Sequence, residues 1–118
     1  MPAYHYLGVR NNGAVVVVHF GKCRVLDIIT ADRIGDDLYR LADDPGCRNL
    51  LLNFSGITGL SSVMLGKLLV LRKKMQHKQG QVKLCDVGSE VNEVFATTKL
   101  NRLLDIRENE AEALRTFA

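Results

Sequence analysis

Leu50-Leu51-Leu52-Asn53-Phe54-Ser55-Gly56-Ile57-Thr58-Gly59-Leu60-Ser61-Ser62-Val63-Met64-Leu65-Gly66-Lys67-Leu68 is the stretch that organises the chain. An apolar run with the character of a buried strand leads into two glycines, and a serine pair then stands directly before a strongly periodic apolar segment. Met64, Leu68, Leu71 and Met75 form one helical stripe, widened by Leu65 and Leu69, so the pair sits at a helix start. Backbone N–H groups without intrahelical partners and the positive end of the helix dipole favour negative charge there. A phosphate on one of these hydroxyls is partly stabilised by the host helix while it changes the surface shown to a partner.

Outward from this stretch, strands alternate with helices. Tyr4–Val9 and Ala14–Phe20 read as a hairpin around Asn11-Asn12-Gly13, and the valines Val15 to Val18 suit a strand buried on both faces. Asp27 or Thr30 caps a helix with Ala31, Ile34, Leu38 and Leu41 at helical spacing, and Asp44-Pro45-Gly46 ends it. Asn49–Phe54 is the next strand. Gly80 closes the serine helix, and Gln81–Val87 is another strand. Ser89 caps a short helix carrying Val91, Val94 and Phe95. A brief strand near Asp105–Arg107 precedes Asn109–Phe117, where Asn109 and Glu112 fit a capping box. The expected fold is a single α/β domain over residues 1–118. Its mixed, mainly parallel sheet begins with an N-terminal β-hairpin, and about four helices join the strands by right-handed crossovers.

Composition removes several function classes. Net charge is +3, with three Tyr, four Phe and no Trp, which gives no support to a nucleic-acid surface or a base-stacking platform. No run approaches the ~20 apolar residues of a membrane span. Met1-Pro2-Ala3-Tyr4-His5 lacks the features of a signal peptide, and Cys23, Cys47 and Cys85 are odd in number and widely spaced, so a cytoplasmic protein with reduced thiols is expected. Cys85, within an apolar strand, reads as a small buried hydrophobe. The histidines show no metal-ligand spacing and no metal is expected. No Gly-x-Ser-x-Gly and no phosphate-cradling glycine loop occurs, so an enzyme is not expected. Arg72-Lys73-Lys74 with Lys78 reads as an outer helix face.

In these residues the chain resembles a STAS domain, the fold of bacterial anti-sigma factor antagonists. The resemblance spans nearly the whole chain and is densest at Val25-Leu26-Asp27, Leu51–Leu68, Val82-Lys83-Leu84-Cys85 and from Val94-Phe95 to Leu100-Asn101-Arg102-Leu103-Leu104. In that family an apolar-Asp-Ser-Ser/Thr-Gly sequence carries the phosphoacceptor on the first Ser. Registered on Leu60 and Leu65-Gly66-Lys67-Leu68, that acceptor falls on Ser62. The family's Asp falls on Ser61, its second hydroxyl residue on Val63 and its glycine on Met64.

The resemblance implies partner switching. The unmodified domain binds an anti-sigma factor of the histidine-kinase-like ATPase fold. That partner, with its own ATP and magnesium, phosphorylates Ser62, with Ser61 as the alternative acceptor, and a phosphatase resets the switch. The implied docking surface comprises Asp27, Gly59, Leu60, Ser61, Ser62, Met64 and Lys67. The chain itself needs no cofactor, and a homo-oligomer is compatible with the sequence. The alternative, favoured by Ser61 in place of the family's Asp, is a constitutive, non-phosphorylated scaffold within a larger signalling assembly.

Overall fold

The computed structural model describes residues 7–117. Among the described residues are seven strands: β1 (Gly8–Asn12), β2 (Val15–His19), β3 (Val25–Leu26), β4 (Asn49–Asn53), β5 (Gly59–Leu60), β6 (Gln81–Cys85) and β7 (Asp105–Arg107). Between and after them lie α1 (Ile28–Asp43), α2 (Ser62–His77), α3 (Ser89–Thr97), a 3-10 turn at Leu100–Arg102 and α4 (Glu110–Thr116). The main sheet runs β1-β2-β4-β6-β7, antiparallel only between β1 and β2, and β3 pairs with β5 in a separate parallel ribbon.

From β2 through β4 and β6 to β7 the chain always steps the same way across the sheet. Crossovers of one hand must then deposit their helices on one face. Accordingly α1, α2 and α3 share a single core with Val18, Leu50, Leu52 and Leu84. Among the described residues, the opposite side chains Val15, Val17, Leu51 and Cys85 cluster with Ala113 of α4, with Leu114 and Phe117 packed against them. This explains the valine run: its alternate members serve two different cores. The α2 stripe is as expected, with Met64, Leu68, Leu71 and Met75 its buried residues.

The hairpin differs in register from the sequence expectation. Asn12 pairs with Val15, leaving Gly13-Ala14 as the two-residue loop. Gly13 at its first position has φ +60°, which suits a glycine-first turn better than Asn-Gly at both central positions. The expected strand Tyr4–Val9 begins outside the described residues, and its observed counterpart starts at Gly8. Asn49–Phe54 and Gln81–Val87 shorten to Asn49–Asn53 and Gln81–Cys85. Ser89 is the first residue of α3 rather than its cap; the cap position is Gly88, which has no side chain to accept a bond. Asn109 does cap α4, its side-chain oxygen accepting from the N–H of Glu112 at 2.9 Å.

The sequence assigns the close of α2 to Gly80, and the structure gives that role to a different residue. The N–H of Gly80 donates to Met75 O and that of Gln79 to Gln76 O, and it is Gln79 that adopts the left-handed conformation, at φ +58°. Gly80 is needed for approach instead, because a Cβ there would lie 2.4 Å from the carbonyl oxygen of Arg48. Gln79→Gly is therefore expected to raise stability by about 1 kcal/mol in urea denaturation, since a non-glycine residue is disfavoured at positive φ.

Candidate functional site

The β3–β5 ribbon sets the site. Leu26 is in register with Leu60, and each strand runs straight into a helix, so two strand-to-helix junctions stand side by side. The N–H of Ser61 donates to Leu26 O at 2.8 Å and ties them together. Asp27 is the N-cap of α1, Oδ1 accepting from the Thr30 N–H at 2.8 Å. That backbone bond, with help from the Thr30 side chain, holds the exposed carboxyl below its ordinary pKa.

Ser61 is the N-cap of α2. Its ribbon hydrogen bond accompanies an extended backbone, and its Oγ accepts from the Met64 N–H at 3.3 Å. Ser62 is the first helical residue. It is exposed, and its hydroxyl makes no hydrogen bond among the described residues. The first turn of α2 holds no acidic residue, so no carboxylate from that turn offsets its positive end. The two serines thus separate into a capping hydroxyl and an available one. Ser61→Ala is expected to cost about 1 kcal/mol of folding stability, and Ser62→Ala no more than about 0.5 kcal/mol, as read by thermal or urea unfolding.

Other members of the expected docking surface fare differently. Met64 is fully buried, because the α2 stripe begins at this residue, and it has no surface to offer a partner. Leu60 is half-buried against the main core. Gly59 is half-exposed within the ribbon, and a Cβ there would meet only Val25 at an ordinary 3.8 Å. The positive φ belongs to Gly56, at +85°, in the turn closed by the Ile57 N–H on Phe54 O. Lys67 is neither a solvated residue nor aimed at the serines. Its stem crosses Gly35, its Nζ lies 3.2 Å from Asp32 Oδ1, and it stands 5.4 Å from the Tyr39 ring centroid. It cross-ties α1 to α2.

Of the basic run, Lys73 is exposed as expected, and Lys74 and Lys78 tie α2 to α1 as Lys67 does. Lys74 pairs with Asp43 at 3.1 Å, and the Lys78 amine donates to Ala42 O and Asp44 O at the end of α1. Cys85 is the expected buried thiol, pushed up to about 12 by burial and then by its neighbour Asp86. Among the described residues, no three His, Cys, Asp or Glu side chains gather as a metal site, and no helix is long and apolar enough to cross a membrane.

Beside the serines lies a feature that the sequence reading overlooked. Val25 is 53% exposed, Ile28 62% and Ile29 73%, three exposed apolar residues close in the chain on β3 and the first turn of α1. Its sequence signal is the Ile28-Ile29 pair standing before the stripe that starts at Ala31. Neighbouring exposed apolar side chains, as opposed to scattered ones, mark an interaction surface.

A parallel-rich sheet with three crossover helices on one face and a fourth on the other carries a serine at the start of its central crossover helix. The STAS domain family model matches residues 6–113, and the chain belongs to that family. It is 26% identical over 104 residues to an anti-sigma F factor antagonist of Paenibacillus polymyxa, covering 88% of this chain and 86% of the relative. Its fold is similar to that of an anti-sigma-factor antagonist (STAS) domain protein from Planctomyces limnophilus, with TM-score 0.84, 22% identity and coverage of 95% and 97% of the two chains. It is also similar in fold to the Bacillus cell fate determinant SpoIIAA in its phosphorylated form, with TM-score 0.70, 16% identity and coverage of 92% and 96%.

Proposed function

We propose that this STAS domain is an anti-sigma factor antagonist that docks through the paired N-terminal ends of α1 and α2 and is released by phosphorylation of Ser62. The observation that carries this reading is the unengaged Ser62 hydroxyl, at the first position of a sixteen-residue helix, beside the exposed Val25, Ile28 and Ile29. The Paenibacillus relative is an anti-sigma F factor antagonist, and the Bacillus fold neighbour exists in a phosphorylated form; both support it. The partner is an anti-sigma factor that is also a serine kinase of the histidine-kinase-like ATPase fold. ATP and magnesium belong to that partner, and a phosphatase restores the unmodified chain in the cytoplasm.

The physics of the switch needs no refolding. The apolar cluster supplies area to be taken out of water, and the serine stands at its edge. A phosphate adds about −1.5 to −2 charges to that contact. A loss of only ~3 kcal/mol weakens the complex more than a hundredfold. The host helix is not penalised, because negative charge at its first turn is favourable by roughly 0.3–1 kcal/mol. Titration of the cognate anti-sigma factor with the unmodified and the Ser62-phosphorylated chain tests this directly. Tight binding of the first and loss of binding by the second is expected; equal affinities overturn the switch.

Ser61 in place of the family's Asp favours a second reading, a constitutive scaffold that docks through the same apolar cluster without a phosphorylation cycle. The two diverge in one measurement: a scaffold retains its partner after the cognate kinase and ATP are added.

A further inference from the structure

The helix α4 covers Val15, Val17, Leu51 and Cys85 on the second face of the sheet, and polar contacts hold it at its two ends. It has seven residues and fully buries only Ala113, with Leu114 and Phe117 partly covered. A helix this short has no stability of its own. Its C-terminal end is gripped by the buried Lys83, whose Nζ donates to Thr116 O at 3.2 Å and Thr116 Oγ1 at 2.9 Å while lying 3.2 Å from Asp105 Oδ2. At its N-terminal end Glu110 accepts from Arg10 Nη2 at 2.6 Å, with His19 Nε2 at 3.6 Å. Glu110 also accepts from Asn53 Nδ2 at 3.1 Å.

Asn53 is where this clamp meets the serine loop. It is buried at the end of β4, and Nδ2 also donates to Asp86 Oδ2 at 3.2 Å. Its Oδ1 accepts from the N–H of Ser55 at 2.8 Å, which fixes the first residue of the turn that leads through Gly56 and Thr58 to β5 and the two serines. One buried amide therefore holds the α4 helix with one atom and the serine loop with the other. A buried amide that loses a partner must find another or move, because an unmade bond there is costly.

We propose that α4 is a latch on the serine loop: while it is docked, Glu110 fixes Asn53 and Asn53 fixes the Ser55–Thr58 turn, and when it lifts the turn loosens with it. Lifting α4 uncovers Val17, Leu51 and Cys85, so it is a rare local opening of the native chain, and loss of either polar end clamp makes it more frequent. A partner that grips or displaces α4, on the far side of the sheet, then changes the order of the docking surface without touching it. The coupling concerns the unmodified chain and holds whether or not Ser62 accepts a phosphate, so its failure leaves the docking proposal standing.

Hydrogen exchange read by mass spectrometry on the full chain tests it, with Arg10→Gln and Lys83→Met. Neither residue makes a recorded contact with Asn53 or the turn, and Arg10 meets Glu110 of α4, so an effect of Arg10→Gln on the turn is read through that end of α4. The expected result is exchange faster on the order of tenfold in peptides covering 110–117, and a parallel rise in the peptide covering 55–58, with the β4 peptide 50–52 still protected. Faster α4 exchange with the turn within about twofold of the parent overturns the latch. Unchanged α4 exchange in both variants overturns the clamp itself. Arg10 is on the exposed edge strand, so Arg10→Gln decides the matter if Lys83→Met does not fold.

Discussion

Ser62→Asp is expected to weaken binding to the cognate anti-sigma factor about 30-fold, and Ser62→Ala to leave it within about twofold of the parent chain. Ser62 is exposed just after the junction that is tied to the β3–α1 junction bearing the exposed Val25, Ile28 and Ile29, so a carboxylate there enters a contact made by these paired ends without a partner. Roughly 2 kcal/mol of lost binding corresponds to that factor, and a phosphoserine, with more charge, exceeds it. The same substitution acts in the opposite direction on the fold. A negative charge in the first turn of α2, which has none, adds about 0.3–1 kcal/mol to helix stability. Weaker binding by a chain that melts no earlier than its parent is therefore the signature of a charge effect at the surface. A drop in both quantities together would place the effect in the fold instead. Isothermal titration alongside a thermal melt reads both.

Phe54→Ala is expected to remove about 3–5 kcal/mol of folding stability. Phe54 is fully buried immediately after β4, with Phe20 at 5.0 Å and Phe95 at 6.2 Å between ring centroids, both edge-on. Edge-on aromatic pairs contribute beyond the area they bury, and the ring joins β4 to α3 and to the segment after β2. Its backbone N–H donates to Cys85 O and its carbonyl closes the turn at Ile57, so the side chain anchors the root of the serine loop as well as the core. Small domains have only about 5–15 kcal/mol in total, which makes this a large fraction. Urea unfolding should show a lower midpoint at an unchanged slope. A loss below about 1 kcal/mol would mean that the aromatic cluster is not a unit of the core.

Much of this architecture is visible in the sequence because it rests on local periodicity. The four valines announce a strand with two buried faces, and the stripe from Met64 to Met75 announces the inner face of α2. Asn109 with Glu112 marks the start of α4. What could not be read depends on partners distant in the chain. β3 and β5 are two residues each, too short to show a period, and exist because Val25 and Leu26 find Gly59 and Leu60. That ribbon also decides between the serines. Both are good capping residues, and only the bond from Ser61 N–H to Leu26 O shows which one remains outside the helix. The course of Lys67 is settled by Gly35 and Asp32, about thirty positions earlier. Met64 stands where the family's glycine falls, and its long side chain turns inward to begin the α2 stripe.

The most direct test of the central claim is peptide mass spectrometry of the chain recovered from its native host, grown under several conditions. The account predicts a single added phosphate, mapped to Ser62, in a fraction of molecules that changes with condition. Phosphate confined to Ser61, or a chain unmodified under every condition, would contradict it.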